Sequence, residues 1–446
     1  MKSVVILSVL TASALAFAGC RGVPAPGEAS ARHNLTVVAR EYPVDFDQPA
    51  LPELTADSSL SNYLAFALAN SPSVQAAFYD WSAAVENITV ARSRPDPQLT
   101  LQAYITDTLT SLMPGLAWNF PGPGKLSARG RAATAASEGK YVAFESAVLQ
   151  TVFDVKKAYY NLALLQEQVR LNQTSLALLD QLEATTRAQN NSSQGSLAAV
   201  YRVQSDRERL RSELASLADS GSTRRENFKA VLGLTPAQPD PPVPAHFEIS
   251  QPEPDPAALE RLAFARNPQL QAMAAEVRGA EAGIATAYRD RLPDFNAGVS
   301  AEVYAPPFFW PQAGMTLPIW RDKLAAELAQ AQAGKLAAEK RWQAAQITLA
   351  VTFAEQSFTC RETARSLALT EDRLLPLARQ SLALARAGYQ AGTVDFASLT
   401  EAERLPLELE LTAAQARIDH ALALAELTIL IAGVPPPGTP IATTNP

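Results

Sequence analysis

Residues able to do chemistry are few in this chain of 446 and far apart. Its three histidines, His33, His246 and His420, are scattered, and four methionines and two cysteines complete the soft-ligand inventory. No pair of them has the spacing that holds a metal. No Ser/His/Asp set, glycine-rich phosphate loop or cleft-like pair of carboxylates can be picked out. The sequence therefore predicts no enzyme, no cofactor and no metal site. A net charge of −7 also argues against nucleic acid as a partner, which usually needs a basic face.

The one residue placed for a directed reaction is Cys20. Lys2 supplies a positive start, Val4 to Ala18 an apolar run, and Ala18-Gly19 small residues directly before the thiol. That is the layout of a secretory leader, too short to span a bilayer comfortably. With Cys at the cleavage point it resembles the bacterial lipoprotein box, with Phe17 where Leu is commoner. Residues 1–19 would be the leader, and Cys20 the first mature residue and the lipid carrier. Arg21, rather than Asp, favours the outer membrane in such lipoproteins. Cys360 then has no intrachain partner and reads as a small core residue. No later run of 18 apolar residues occurs, so a membrane could be crossed only by strands.

Stepping back to the elements, residues 20–57 are rich in Pro, Ala and polar residues and read as an extended linker. A helix is expected from a cap at Ser58 to Arg92, stopped by Pro95 and Pro97. Leu99, Leu101, Ala103 and Ile105 alternate with Thr100, Gln102, Tyr104 and Thr106, the period of a strand with one apolar face. A turn near Met113-Pro114-Gly115 and a short strand Leu116 to Phe120 complete a strand pair over 98–120. From Lys125 to Gln189 no proline intervenes. Tyr141, Val148, Val155, Leu162, Val169 and Leu176 step by sevens, with Phe144, Ala158, Leu165 and Leu179 beside them. One helix of roughly 60 residues is on the order of 90 Å long. Asn190 to Gly195 forms an uncharged turn, and a return helix over 196–233 leads to a proline-rich linker.

The order then recurs. Leu262 to Ala265 repeats Leu64 to Ala67, Asn267-Pro268 echoes Asn70-Ser71-Pro72, and Pro293-Asp294 matches Pro95-Asp96. Lys323-Leu324 matches Lys125-Leu126, and Arg386-Ala387 matches Arg187-Ala188. An internal duplication follows, with repeat 1 over 58–245 and repeat 2 over 246–446. The second copy reads as a helix over 255–290, a strand pair over 294–319 turning at Pro306-Pro307 with its second strand from Gln312, and a long helix over 321–389. A hairpin from Gly388 to Thr393, a return helix over 396–433 and a C-terminal tail follow. Pro376 and Pro406 read as bends in the second helix pair. Four strands per chain cannot close a barrel, and hydrocarbon tolerates no open sheet edge. Small barrels begin at about eight strands, so closure demands oligomerisation, and three chains would supply enough. The fold class is mainly α with a small β part. A long helical barrel of coiled-coil hairpins is continued by a β-barrel completed by trimerisation.

With these residues in hand, the chain resembles the TolC-like outer-membrane efflux proteins from about Ser58 onward. The more specific marks are Pro121-Gly122-Pro123-Gly124-Lys125-Leu126, Leu317-Pro318-Ile319-Trp320 and Tyr389-Gln390-Ala391-Gly392. The first looks most like the lipidated, CusC/CzcC-like metal-efflux branch. The resemblance implies a homotrimer in outer-membrane lipid, reaching through the periplasm to a membrane-fusion adaptor and an inner-membrane pump of RND type. Pro121, Gly122, Gly124, Lys125 and Pro318 would form the barrel-to-helix junction. A periplasmic gate would involve Tyr389, Gly392, Asp395, Ser398, Glu401 and Glu403. The two positions of the family's acidic ring fall on Ser398 and Glu401, and the basic partner of the tyrosine lock falls on Val394. Solvated acids at a helix start are the alternative for this acidic group. Other readings of the whole are an exit duct for type I protein secretion and, from a different class, a periplasmic coiled-coil adaptor or scaffold lipoprotein.

Overall fold

Proline placement divides the first helices. The structure, a computed structural model, describes residues 24–39, 53–105, 109–191, 197–244, 246–247, 256–302, 308–391 and 393–431. Within them the single helices expected over 58–92 and 255–290 are each two: α2 (Leu60–Asn70) with α3 (Pro72–Arg92), and α6 (Pro256–Arg266) with α7 (Pro268–Arg289). Pro72 and Pro268 open the second member of each pair, where a missing N–H costs nothing, while the residue before each is driven from helical geometry. Ser71 accordingly has ψ 118°. Ser58 is no cap, because its hydroxyl accepts from the Thr55 N–H at 2.9 Å. The linker reading of residues 20–57 also needs correction. Glu28–Val38 form a helix, α1, whose first turn is held by the contacts of Glu28 rather than by propensity.

The remaining elements are β1 (Gln98–Ile105), β2 (Leu109–Phe120), α4 (Lys125–Asn191), α5 (Leu197–Val231), β3 (Asp294–Glu302), β4 (Phe308–Thr316) and α8 (Arg321–Ala368). A π-helical turn (Leu369–Leu374), α9 (Leu375–Gln390) and α10 (Phe396–Leu430) complete the order. The π turn lies just ahead of Pro376, which has no N–H to give. There the Leu375 N–H reaches back to Thr370 O instead of continuing the α pattern. Pro406 does not interrupt its helix, since α10 runs through it. No helix among the described residues is long and apolar enough to cross a membrane.

The strands form one antiparallel sheet in the order β1-β2-β3-β4. The turn expected at Met113-Pro114-Gly115 is instead strand. Met113, Pro114 and Gly115 face Gln102, Leu101 and Thr100, and pairing with β3 begins only at Gly115. Pro114 is thus spared a place between two complete ladders. β4 starts at Phe308 and stops at Thr316, so Leu317 to Ile319 lie beyond it. Directly opposed residues share a face. Leu99, Leu101 and Ala103 stand in register with Leu116, Pro114 and Leu112. Leu116, Trp118 and Phe120 stand in register with Val299, Ala297 and Phe295. Those meet Pro311, Ala313 and Met315 in turn. One face is apolar from edge to edge. The other carries Thr100, Gln102, Asn119, Asn296, Ser300 and Gln312, with Met113, Phe308 and Trp310 among them. Leu99 is 82% and Leu101 67% exposed in the single chain.

Two compact units contain these elements. The first, from residues within 1–39, 78–143 and 271–344, holds the sheet. There Ala25, Ile88 and Ala133 pack together, and the Trp81 and Tyr141 rings meet at a tilt with centroids 4.9 Å apart. Glu28, buried on α1, accepts from Nε and Nη2 of Arg92. The second unit, within 40–77, 144–270 and 345–446, centres on Tyr63, Tyr159 and Phe228, all fully buried. Each large side chain of this kind stabilises by about 1.5–3 kcal/mol through burial. Asn70 Nδ2 donates to Leu232 O at 2.9 Å, and Asn267 Nδ2 donates to Leu430 O at 3.0 Å, so both return helices end on the same kind of contact. The seven-step seam is buried at Phe144, Val148, Val155, Ala158, Leu162 and Leu165. Farther on Val169 and Leu176 are only half-buried, and the buried positions become Leu171 and Leu182. A helix of 3.6 residues per turn drifts off a strict heptad unless it supercoils to follow it.

Candidate gate and barrel-to-helix junction

Where β2 passes into α4, Pro121 to Gly124 turn the chain and Lys125 opens the helix. The Lys125 N–H closes the turn on Gly122 O at 3.1 Å. Gly122 lies so close to the start of β3 that an added Cβ would meet Pro293 O at 2.4 Å. Only a hydrogen fits, and its N–H donates to Asp294 Oδ1 at 2.7 Å. Gly124 has φ 78°, a conformation that costs glycine little, and sits against the Arg289 guanidinium. The same Asp294 oxygen takes the Lys125 ammonium at 2.8 Å, with that side chain only 5% exposed. Asp290 follows at 4.0 Å. A charge this well covered needs its partner. The staple ties the first long helix to the first strand of the other strand pair. In the second junction Pro318 is half-buried, whereas Leu317, Ile319 and Trp320 are all exposed.

At the second hairpin, α9 ends through bonds from the Thr393 and Val394 N–H groups to Gly388 O at 2.9 and 3.2 Å. Asp395 is the N-cap of α10: its Oδ1 accepts from the Ser398 N–H at 3.0 Å. Hydrogen bonding by Ser398 holds the Asp395 carboxyl below the usual aspartate range. These two positions are brought together as a helix start. Tyr389 lies half-buried in the last turn of α9. One turn earlier, Arg386 Nε donates to Glu403 Oε1 at 3.3 Å. Glu403 is buried, and its other oxygen has no hydrogen-bond partner among the described residues. Glu401 stands apart from that pair. It is exposed and borders a cavity of about 550 Å³ with Leu178, Leu182, Val203, Leu210 and Leu407. Gly392, Cys20, the leader, the Ser192–Gly195 turn, Pro306-Pro307 and the C-terminal tail lie outside the described residues.

Two sites escaped the sequence reading. Glu183, near the end of α4, is buried and takes hydrogen bonds from Gln204 at 2.8 Å and from Arg207, with Arg187 alongside. The Gln204 bond is the chief cause holding its carboxyl below the usual glutamate value, with the neighbouring arginines adding to it. Nothing in the one-dimensional pattern separates it from the solvated acids around it. Asp294 as the partner of Lys125 had a usable signal, an acid directly behind a proline at each strand start.

The sequence profile of the outer membrane efflux protein family matches residues 64–234 and again 259–433. Among solved structures, the open-state MtrE outer membrane channel of Neisseria gonorrhoeae superposes with a TM-score of 0.71 at 18% identity, covering 89% of this chain and 98% of that one. CusC gives 0.69 at 18% identity over 87% and 99% of the two chains. VceC of Vibrio cholerae gives 0.69 at 17% identity over 84% and 96%. No curated protein sequence gives a significant match. Identities this low establish the shared fold, and the family profile, covering most of the chain, establishes the rest: the chain belongs to the outer membrane efflux protein family, and it is an outer-membrane exit duct for efflux.

Proposed function

We propose that three copies close one barrel in the outer membrane, held there also by lipid on Cys20, and continue below it as a helical tube through the periplasm. The observation that carries this is the sheet. One face is apolar from β1 to β4, as lipid requires, and each outer strand has a free edge that hydrocarbon would not tolerate. Three chains of four strands pass the minimum of about eight strands for a barrel, and the polar face then lines a water-filled lumen. The lower end meets a periplasmic membrane-fusion adaptor, fed by an inner-membrane pump of RND type, and the duct itself is passive.

The gate is assigned to the second hairpin. Tyr389 and Gly392 shape its tip, Asp395 and Ser398 start its return helix, and Glu401, with Glu403 behind it, presents carboxylate to the constriction. Threefold repetition of Glu401 makes a ring that favours cations and repels anions. Purified protein in detergent should sediment as a trimer and give discrete conductance steps in planar bilayers. A monomer without conductance would sink the proposal. Loss of membrane retention after Cys20→Ser, with the trimer intact, would identify the lipid's share.

A further inference from the structure

The two strand pairs can be laid on one another without ambiguity. Pro95-Asp96 corresponds to Pro293-Asp294, and Pro114 and Pro121 correspond to Pro311 and Pro318. The two hairpins bear this out independently. Leu101 faces Pro114 in the first, and its counterpart Val299 faces Pro311 in the second. Hence β1 stands for β3, and β2 stands for β4. The contact of β2 with β3, where the two strand pairs meet inside one chain, is therefore a template for how β4 would meet β1 of another chain.

From that template we infer the register of the seam between copies, an inference that rests on the trimeric reading above. Asn119 opposite Asn296 becomes Thr316 opposite Gln98 of the second copy, and Trp118 opposite Ala297 becomes Met315 opposite its Leu99. Leu116 opposite Val299 becomes Ala313 opposite its Leu101, and Gly115 opposite Ser300 becomes Gln312 opposite its Gln102. In these four pairs polar meets polar and apolar meets apolar, and the pair between them sets the small Gly314 opposite Thr100 of the second copy, as Ala117 stands opposite Gly298. The template was chosen on prolines and hairpin register, so this agreement of faces is a separate check. A slip by one residue would bring Thr316 against Leu99 and break it.

The inference also accounts for the imbalance between the junctions. Lys125 is covered because the start of β3 lies over it, with Asp294 on its ammonium. Its counterpart Lys323 is 69% exposed and reaches only Glu327, one turn on, at 3.6 Å. Asp96, the counterpart of Asp294, is exposed. In the seam, Asp96 of the second copy lies beside the basic start of α8, Arg321 and Lys323.

Cysteine pairs in the full-length chain, with Cys360→Ser, test the register. Residues directly opposite on antiparallel strands lie about 4.5–5.5 Å apart at Cα, within disulfide reach, whereas diagonal neighbours at about 7–8 Å are not. Gln98→Cys with Thr316→Cys, and independently Gln102→Cys with Gln312→Cys, should give a covalent trimer on oxidation. Thr100→Cys with Thr316→Cys should not. Linkage at the last pair alone would overturn the register and leave the trimer standing. A trimer by sedimentation with no linkage at any pair would overturn the β4–β1 seam. A monomer with no linkage would take the trimeric reading down as well. Asp96→Lys should lower the melting temperature of the trimer, and adding Arg321→Glu and Lys323→Glu should restore it. Failure of that rescue, with the disulfides formed, would overturn the ion pair.

Discussion

The carboxylate of Glu28 offers the sharpest quantitative test of how the N-terminal helix is held. Its side chain is 3% exposed and receives five hydrogen bonds. These come from Arg92 at 2.7 and 3.0 Å, the Ala25 N–H at 2.9 Å, Thr89 at 3.2 Å and Arg32 at 3.3 Å. Burial alone would push the carboxyl up, but these donors outweigh it and bring it from 4.5 down to about 2. A gap of that size corresponds to about 3 kcal/mol of added preference for the charged form. The folded value lies below the unfolded one. The contribution is therefore complete above about pH 4.5, fades as pH falls, and is gone below about pH 2.

Glu28→Gln removes the charge while keeping the shape. It leaves the Arg92 guanidinium, 15% exposed, facing a neutral amide. Because Arg32 is partly in water, the loss should be about 2–3 kcal/mol, which is on the order of a hundredfold faster opening of α1. Hydrogen exchange at the amides of residues 28–38 reads that opening directly, and trypsin cleavage after Arg32 gives a second measure. In the unaltered protein the same amides should lose protection as pH falls from about 5 to about 3. Unchanged exchange in Glu28→Gln, or pH-independent protection over that range after correction for intrinsic rates, would refute the reasoning.

At the junction, Asp294→Ala should lower stability by about 1–3 kcal/mol, because it leaves the covered Lys125 facing Asp290 at 4.0 Å, and adding Lys125→Met should recover most of it, read as trimer melting temperature. Gly334, in the body of α8 with open space around its Cα, should accept alanine with a gain of about 0.5–1 kcal/mol, measured the same way. Glu401→Gln should reduce cation preference in single-channel recordings, and unchanged selectivity would count against the ring. Amides of 375–390 in α9 should exchange faster than those of 171–190 in α4, and the reverse order would show that the second hairpin is not the more loosely tied of the two.

Long-range order was legible where a pattern is forced at every residue. The alternation in β1 and β3 follows from a sheet with one apolar face, and the length of α4 follows from the absence of proline over its body. Breaks were legible only when the local residue dictates them unaided. Pro72 was visible, yet a helix was carried through it, because proline serves as well at a first turn as at an end. Pro114 was read as a turn, because its tolerance depends on how far β3 runs alongside, which no local signal reports. Glu28 looked like a surface acid in a linker, since the arginine that buries it is 64 positions away. The junction glycines stood out, but the reason for Gly122, a carbonyl on another strand pair, is purely tertiary.

That distinction also separates the two hairpins. The first is tied by a buried carboxylate: Glu183, with its side chain 6% exposed, gathers Gln204, Arg207 and Arg187 from both of its helices. The second is tied largely by pairs at its surface. Its covered acid, Glu403, is held among the described residues by Arg386 at 3.3 Å, whereas Glu183 gathers three groups. Arg379 to Glu410 spans 2.8 Å with the arginine 61% exposed. Arg417 to Glu371 is similarly open to water. Exposed pairs of this kind are worth about 0–1 kcal/mol each, while breaking a buried one costs several times more. The second hairpin also carries the π turn before Pro376 and the missing N–H of Pro406, and its buried Glu403 oxygen has no donor among the described residues. Each of these lowers the cost of rearranging α9 and α10 relative to α4 and α5. The proposed gate needs one element that holds and one that yields, and the chemistry of these ties suits the second hairpin to the yielding role.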